Sequence, residues 1–231
     1  MSTETAIPQR KSILVEMIGD FSSGWCWVAK RRLEKVLSLS EVQEKYDVIV
    51  RHLPYLLNSS LPEAEELETM SAGTKPIVPQ PFSQELYRIA RRMGFKDIGN
   101  FRSNNLARSA STLQSHCLLK YCEMVQPYNF SENQLELAEA IYNSFLGNGT
   151  YPTLRNLSKM AEEHCGFDSK DVLLFLEQRS EEMLVRKEVY EYNKLGVKQL
   201  PFFVLNGKAV FAGCQEEEIM IKALEICPHR R

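Results

Sequence analysis

The sequence lacks an excess of charge of either sign. Its 231 residues include 28 lysines and arginines and 30 aspartates and glutamates, which gives a formal net charge of −2. Proteins that bind the nucleic-acid backbone usually carry a basic patch or stripe. The two basic runs, Lys30–Arg32 and Arg91–Arg92, lie in helical patterns, where a solvated helix face explains them better. We therefore expect no nucleic-acid partner.

The sequence also lacks a long hydrophobic run. The first apolar segment, SILVEMIG at residues 12–19, is short and contains Glu16. A signal peptide needs an uninterrupted apolar core, and a membrane helix needs about 20 mostly apolar residues. The segment fits neither, so we expect no membrane association and a cytoplasmic, reducing compartment.

A third absence concerns cysteine pairs. The six cysteines are scattered, and no two of them form a Cys-x-x-Cys pair. In a chain long enough to bury a core without cross-links, this pattern is typical of free thiols. Neither His116-Cys117 with Cys122 nor His164-Cys165 has the spacing of zinc ligands. We expect free, mostly buried cysteines and no metal.

What the sequence does contain is an ordered change of pattern along the chain. Residues 12–18 and 46–53 are rich in Ile, Leu and Val and flank a helical pattern, which predicts a parallel strand, helix, strand unit. Near the other end, FFVL and KAVF flank Asn206-Gly207, the strongest short hairpin signal. A last helical pattern, QEEEIMIKALEI, follows the hairpin.

Between these two ends, residues 62–194 show only helical patterns. Ser131 to Gln134 fits a capping box, which predicts that a helix begins there. Asp168 is predicted to open one long helix that ends near Gly196. No internal repeat or low-complexity tract competes with this division.

The order of elements predicts an α/β protein: a thioredoxin fold with a large inserted all-helical domain. Residues 1–61 and 195–231 are expected to form the two halves of the thioredoxin-like domain. Residues 62–194 are expected to form the inserted helical domain.

The stretch DFSSGWCW, residues 20–27, holds the main candidate site. Cys26 lies three residues after Ser23, inside the first turn of the predicted helix, where a redox protein carries its second cysteine. Three interpretations are open: a disabled redox motif, a site that uses the serine hydroxyl, or a capped helix with a buried cysteine. As an N-cap alone, Ser23 is worth about 1 kcal/mol.

Several motifs, in this order, resemble the DsbA superfamily and within it the FrnE-like branch. That branch neighbours the kappa-class glutathione transferases and the 2-hydroxychromene-2-carboxylate isomerases. Asp20 and Ser23-Gly24-Trp25-Cys26 resemble the acid and the Cys-Pro-Trp-Cys motif of FrnE-like members. The segments LPYLLNSSLPEA, LSKMAEEHCGFD and LGVKQLPFFVLNGKAVFAGCQ resemble later parts of the family, so the resemblance spans nearly the whole chain.

The resemblance implies a specific role for Ser23. The redox members carry their nucleophilic cysteine at this position, and a hydroxyl cannot replace a thiolate in disulfide exchange at neutral pH. In kappa-class transferases and chromene isomerases the position is a serine that donates a hydrogen bond to the glutathione sulfur. A free thiol has a pKa of about 8.5, which a hydroxyl donor at a helix N-terminus can lower. Glutathione is thus the expected cosubstrate.

The resemblance also assigns other residues around Ser23. Cys26 is either a small side chain packed under the site or a monothiol that accepts glutathione in a mixed disulfide. Trp25 is expected to shape the mouth of the site. Leu200-Pro201 matches an X-Pro bond that is cis in the superfamily, where the preceding backbone pairs with glutathione or an extended peptide.

The remaining candidates lie further along the chain. Gly213-Cys214-Gln215 is expected to open the last helix, where backbone N–H groups bind a carboxylate. Kappa-class members carry serine and aspartate after that glycine, so Cys214 and Gln215 depart from the kappa-class pattern. His52 and His116 are candidate acids or bases of the cleft, with a packed, structural role as the alternative for His52.

Two function hypotheses follow. The first is an enzyme with Ser23 and Cys26 as catalytic residues: a glutathione- or thiol-dependent oxidoreductase, transferase or isomerase rather than a dithiol disulfide oxidase. The second is a non-catalytic binding module that keeps the groove without turnover. The expected partners are a small-molecule thiol or an extended peptide, and the protein is a candidate homodimer, as many kappa-class members are.

Overall fold

The structure is a computed structural model that describes residues 10–70, 83–95 and 109–228. Its four strands are β1 (Lys11–Gly19), β2 (Tyr46–Pro54), β3 (Phe202–Leu205) and β4 (Lys208–Ala212). Its α-helices are α1 (Gly24–Leu37), α2 (Ser40–Lys45), α3 (Ala64–Thr69), α4 (Gln84–Arg92), α5 (Leu113–Val125), α6 (Phe130–Tyr142), α7 (Leu154–Cys165), α8 (Ser169–Gln178), α9 (Glu182–Lys194) and α10 (Glu217–Ile226). A π-helical turn, Asn143–Gly147, continues α6.

The strands form one mixed sheet in the order β2-β1-β3-β4. β1 pairs parallel with β2 and antiparallel with β3, and β3 pairs antiparallel with β4. Asn206 and Gly207 have φ angles of 47° and 78°, the positive values that a type I′ hairpin turn requires. The predicted α/β class and thioredoxin fold are therefore confirmed.

The chain between β2 and β3 forms only helices in its described parts. α5, α6 and α9 pack against β2, so the helical insertion covers one side of the sheet. Side chains from the strands and from the inserted helices join one continuous hydrophobic core. The large helical insertion is confirmed, whereas domain boundaries at 61/62 and 194/195 stay a prediction, because the shared core provides no natural division.

The predicted capping box is wrong. α6 begins at Phe130, one residue before Ser131, and Asn129 is its N-cap without a side-chain hydrogen bond. Instead, Ser131 Oγ accepts a hydrogen bond from the Val50 N–H at 2.9 Å, and Gln134 Oε1 accepts one from the His52 N–H at 3.0 Å. These N–H groups belong to β2, an edge strand whose outward backbone groups need partners.

The single long helix predicted from Asp168 is also wrong, although its start is right. Asp168 caps α8 by accepting a hydrogen bond from the Lys170 N–H at 2.8 Å. The helix ends at Gln178 because Arg179 adopts a left-handed conformation with φ 56°, and α9 begins at Glu182. Arg179 is not glycine or asparagine, so the sequence carried no residue signal for the break.

The six cysteines are free thiols, and four of them are buried. Within the described residues, no helix is both long and apolar enough to span a membrane. The cytoplasmic location stays a prediction.

Candidate functional site

The site begins where β1 ends. The chain leaves the sheet at Gly19, turns through Asp20, and enters α1 with Ser23 as the N-cap residue. Ser23 has the extended backbone usual for an N-cap, and its Oγ accepts a hydrogen bond from the Cys26 N–H at 3.3 Å. The first turn of α1 carries no acidic residue, so its N-terminal partial positive charge is not neutralised by the helix itself.

Cys26 lies beneath this turn and is completely buried. Its Sγ is only 3.1 Å from the point where a Cβ on Gly19 would lie, so the thiol fits because residue 19 has no side chain. Burial raises the pKa of Cys26 to about 12, against a smaller lowering by the adjacent Ser23 side chain. The thiol is protonated at neutral pH and is a poor nucleophile, which favours the packed role over the monothiol role.

The Leu200-Pro201 segment lies at the same end of the sheet. Ile18 of β1 pairs with Phe202 of β3, which places Pro201 beside the end of β1 and the start of the motif turn. The Leu200-Pro201 peptide bond is cis, and the Pro201 carbonyl accepts a hydrogen bond from the Gly213 N–H at 2.7 Å. Within the described chain, the Leu200 N–H and C=O have no hydrogen-bond partner.

Gly213, Cys214 and Gln215 lie in the connection before α10, not at its start. α10 begins at Glu217, so the prediction that these three residues open the last helix is wrong. The Gly213 N–H is already used by Pro201, and the Cys214 and Gln215 carbonyls accept hydrogen bonds from the guanidinium of Arg32 at 3.4 and 2.8 Å. Burial also raises the pKa of Cys214, to about 11.

The N-terminus of α10 is occupied by the chain's own carboxylates. Glu216 is the N-cap, and Glu217 and Glu218 lie in the first turn. Glu217 pairs with Lys35 of α1 at 2.6 Å, and Glu216 pairs with Arg32 at 3.2 Å. Acidic residues here stabilise the helix but repel an incoming carboxylate. The arrangement therefore does not favour a carboxylate subsite at α10.

Both candidate histidines are buried below the motif turn. Burial lowers the pKa of His52 to about 3, and the positive charge of Lys30 acts in the same direction. Burial lowers the pKa of His116 to about 4, against the nearby charge of Asp20. The His116 ring packs 4.9 Å from the ring of Phe21. Both imidazoles are neutral at pH 7, and neither Nε2 atom has a hydrogen-bond partner within the described chain.

The two tryptophans of the motif have different environments. Trp25 is partly exposed and packs against the core, and its role at the mouth of the site stays a prediction. Trp27 is buried, and its Nε1 donates a hydrogen bond to Glu139 of α6 at 2.9 Å.

Two residues of the site were missed by sequence reasoning. Thr112, the N-cap of α5, donates a hydrogen bond from its hydroxyl to Asp20 Oδ1 at 2.8 Å. Tyr142, at the end of α6, donates one from its hydroxyl to the Asp20 carbonyl at 3.4 Å, and its side chain also interacts with Cys26. Both lie far from the motif in the sequence, and no local pattern marks them.

A cleft of about 880 Å³ lies elsewhere, between α1, α4 and the start of α10. Its charged side chains largely pair with one another, for example Arg88 with Glu85 at 2.6 Å and Arg31 with Glu139 at 2.6 Å. Ser23 does not line it. We therefore place the candidate site at the motif turn rather than in this cleft.

Comparison with known proteins agrees with this architecture. A probable DsbA oxidoreductase from Streptomyces coelicolor is 22% identical, with a TM-score of 0.62 over 95% of this chain and 93% of that one. A 2-hydroxychromene-2-carboxylate isomerase is 15% identical, with a TM-score of 0.60 over 92% and 94%. The cytosolic disulfide reductase DsbM from Pseudomonas aeruginosa, solved with GSH, is 14% identical, with a TM-score of 0.54 over 82% and 84%.

These identities are low and establish similarity of fold. Among curated proteins, no relative matches the chain. The family model of the DSBA-like thioredoxin domain, however, matches residues 15–225, nearly the whole sequence. The chain therefore belongs to the DSBA-like thioredoxin domain family.

Proposed function

We propose that the protein is a thiol-dependent enzyme of the FrnE-like branch that uses glutathione as its cosubstrate, with Ser23 stabilising the glutathione thiolate. The reaction is a transferase, isomerase or glutathione-linked redox reaction rather than a dithiol cycle. The observation that carries the proposal is the position of the Ser23 hydroxyl. Its oxygen caps α1 by accepting a hydrogen bond from the Cys26 N–H at 3.3 Å, so its single proton can be donated to the sulfur of a ligand.

The electrostatics of the turn favour a thiolate from outside the protein. Cys26 is buried and protonated, so it does not supply the reactive sulfur itself. A second sulfur placed on the open side of Ser23 receives its hydroxyl proton and faces a first helical turn without acidic residues, while the Asp20 carboxylate nearby is held by its own donors. Lowering the pKa of a bound thiol by one unit requires only about 1.4 kcal/mol, which is the size of one such hydrogen bond.

The backbone of Leu200 supports the docking of an extended tripeptide. Its N–H and C=O lack partners within the described chain and lie at the same end of the sheet as the motif turn. The acidic start of α10 argues against a second carboxylate contact there. A hydrogen bond to a charged group is worth about 1.5–3 kcal/mol. We therefore expect glutathione to bind at least about tenfold more weakly here than in a site that has the second carboxylate contact.

The similar folds point to the same reaction classes. One solved neighbour is a chromene-carboxylate isomerase and another is a disulfide reductase solved with GSH. Both are candidates for the chemistry of this chain, with a small-molecule thiol or an extended peptide as the partner. We also propose a reducing, cytoplasmic compartment, which suits either chemistry. The protein is further proposed to be a homodimer, and light scattering will test this.

Calorimetric titration with glutathione and S-methylglutathione tests the proposal. The Ser23→Gly variant removes the hydroxyl but costs the helix cap only a few tenths of a kcal/mol. At pH 8 we expect wild type to bind glutathione about tenfold more tightly than Ser23→Gly does, because only wild type stabilises the thiolate. S-methylglutathione, which has no thiol, should bind both proteins equally.

The matched control is Ser22→Ala, which alters the adjacent hydroxyl outside the helix cap. It should bind glutathione like wild type. Absorbance at 240 nm against pH reports the bound thiolate directly and should show a lower thiol pKa in the wild-type complex. Absence of binding by folded wild type at millimolar glutathione, or equal thiol pKa values in both complexes, contradicts the proposal.

The second candidate is a non-catalytic module that binds a thiol or peptide. Gly24, Cys214 and Gln215 each depart from one of the active patterns, and the thiols of Cys26 and Cys214 are protonated at neutral pH. A panel of thiol-dependent transferase, isomerase and reductase assays separates the two candidates. Turnover that disappears in Ser23→Gly rejects the binding module; glutathione binding without any turnover supports it.

A further inference from the structure

Asp20 is the most completely hydrogen-bonded residue of the motif turn. Its side chain is buried, and Oδ1 accepts a hydrogen bond from the Ser22 N–H at 2.9 Å. Oδ2 accepts one from the Leu57 N–H at 2.5 Å, which holds the segment after β2 against the turn. The Asp20 carbonyl accepts one from the Ser23 N–H at 3.0 Å. Asp20 thus fixes the backbone of the turn that carries the Ser23 side chain.

The same residue is held from the inserted helices. Thr112, where α5 begins, donates its hydroxyl to Oδ1 at 2.8 Å, and Tyr142, where α6 ends, donates its hydroxyl to the backbone carbonyl at 3.4 Å. Thr112 and Tyr142 are themselves buried, so water does not compete for these bonds. Two helices of the insertion therefore meet the motif turn at one residue.

We infer that Asp20 is a positioning residue through which the inserted helices set the orientation of Ser23. The hydroxyls of Thr112 and Tyr142 hold Asp20, and Asp20 holds the turn that aligns Ser23 with the start of α1. The expected effect on glutathione binding rests on the proposed function. The expected effect on the geometry of residue 23 is independent of that function.

The physical reason lies in the burial of the carboxylate. A buried charged group that loses a donor must find another partner or move, because its desolvation is no longer compensated. Asp20 holds the turn directly, through the Ser22 N–H on its side chain and the Ser23 N–H on its carbonyl, so a movement of Asp20 moves the backbone before Ser23. Residue 23 then loses its alignment with the N–H groups of the helix N-terminus.

The first test removes one hydroxyl at a time. Thr112→Val and Tyr142→Phe each delete a donor to Asp20 and keep nearly the same shape. We expect each to weaken glutathione binding about fivefold, the equivalent of one hydrogen bond. Thr112→Ser restores a hydroxyl and should recover wild-type binding. Tyr121→Phe removes a tyrosine hydroxyl of α5 that does not contact Asp20 and should have no effect.

The second test does not depend on glutathione. In a Ser23→Cys background kept reduced, the rate of alkylation of residue 23 against pH gives the pKa of its thiol, with peptide mass spectrometry separating it from the native cysteines. Alignment with the helix N-terminus keeps this pKa below about 8.5. Adding Thr112→Val or Tyr142→Phe should raise it by about half a unit or more, as the alignment is lost. Adding Thr112→Ser or Tyr121→Phe should leave the pKa of this thiol unchanged.

The two tests separate the inference from the proposed function. If wild type does not bind glutathione but the residue-23 thiol shifts as expected, the proposed function fails and the inference stands. If Thr112→Val and Tyr142→Phe fold with native near-ultraviolet circular dichroism and move neither readout, the inference is overturned. If either variant does not fold, the other decides the result, and Thr112→Ala in the Ser23→Cys background provides a third measurement of the same shift, since it removes the donor to Asp20 without changing a charge.

Discussion

The N-termini of α1 and α10 show two different uses of a helix start. α1 has a serine N-cap with a side-chain hydrogen bond and no acidic residue in its first turn. α10 has a glutamate N-cap without such a bond and two further glutamates, Glu217 and Glu218, in its first turn. Positive partial charge at a helix start stabilises whichever anion lies there. In α10 the chain provides that anion, whereas the first turn of α1 contains none.

The two helices are also held differently, although they pack against each other. Glu139 binds α1 from the inserted helices: it accepts hydrogen bonds from Trp27 at 2.9 Å, Lys30 at 2.9 Å and Arg31 at 2.8 Å. The Lys30 side chain is 0% exposed. On α10, by contrast, Glu217 pairs with a Lys35 side chain that is 60% exposed. The helix whose first turn has no acidic residue is therefore the one that Glu139 holds through a fully buried lysine.

The largest expected effect is a gain of redox activity in Ser23→Cys. The new cysteine completes a Cys-x-x-Cys motif with Cys26, and the N-cap position brings it within the Cα separation of about 4.4–6.8 Å that a disulfide needs. Its thiol should titrate below about 8.5, while the buried Cys26, whose pKa is raised to about 12, should react slowly with alkylating agents until the protein unfolds. Catalysis of insulin reduction by dithiothreitol measures the gain.

Ser22→Cys is the matched control for this prediction. Its thiol lies one residue before the helix cap, and we expect neither a disulfide with Cys26 nor insulin reduction. Two independently reactive thiols in Ser23→Cys after mild oxidation would show that the turn does not have the geometry of a DsbA-like active site.

Glu139→Ala should destabilise the protein far more than Glu217→Ala. The first variant leaves the ammonium of Lys30 buried with Glu34 as its remaining carboxylate partner, and removing one member of a buried ion pair costs about 3–5 kcal/mol. The second breaks an exposed pair and should cost less than about 1 kcal/mol. Urea unfolding followed by circular dichroism measures both. Equal losses would mean that α1 is not the better anchored helix.

Acid should lower the free energy of unfolding, because His52 and His116 are buried in their neutral form. The pKa values of His52 and His116 are lowered to about 3 and about 4, below the ordinary 6.5, because burial disfavours the charged form. The unfolded chain therefore binds more protons, so the contribution of these residues is complete above pH 6.5 and is lost as the pH falls toward 4 and 3. We expect a loss of about 2 kcal/mol per histidine between pH 7 and pH 4.5.

Urea unfolding at the two pH values measures this loss. His52→Gln should reduce the pH dependence, since one buried proton acceptor is gone. His164→Gln, which changes an exposed histidine of α7, should leave the dependence unchanged. An equal pH dependence in wild type and His52→Gln would show that His52 is not buried in its neutral form.

The smallest effect is expected at the start of α10. Glu218→Gln removes one exposed carboxylate from the first turn and should cost about 0.3–1 kcal/mol at low ionic strength. The loss should shrink in high salt, because an exposed charge is screened. A salt-independent loss in thermal unfolding would point to a packing change instead of the charge.

The sequence predicted the elements whose signals are local. Strands β1 and β2 follow from apolar runs, and the hairpin follows from Asn206-Gly207, because positive φ angles are a property of those two residues. Ser23 as the N-cap of α1 also follows from its place before an amphipathic run. In each case the determining interactions join residues only a few positions apart.

The predictions that failed depended on distant partners. Ser131 and Gln134 have the spacing of a capping box, but the unpaired N–H groups of β2 compete for the same side chains. Arg179 breaks a helix that its periodicity would continue, and its side chain lies 3.8 Å from the carboxylate of Glu63, the residue before α3. Hydropathy contains no information about such contacts.

The amino-acid sequence by itself determined the fold class, the order of the elements and the presence of serine where the redox members have cysteine. Only the tertiary structure decided what the neighbours of that serine can do. Cys26 is buried and protonated, and Asp20 is held by Thr112 and Tyr142 from 92 and 122 residues away. Motifs depend on neighbouring residues along the chain, whereas pKa values and buried hydrogen bonds depend on the atoms that packing brings around a group.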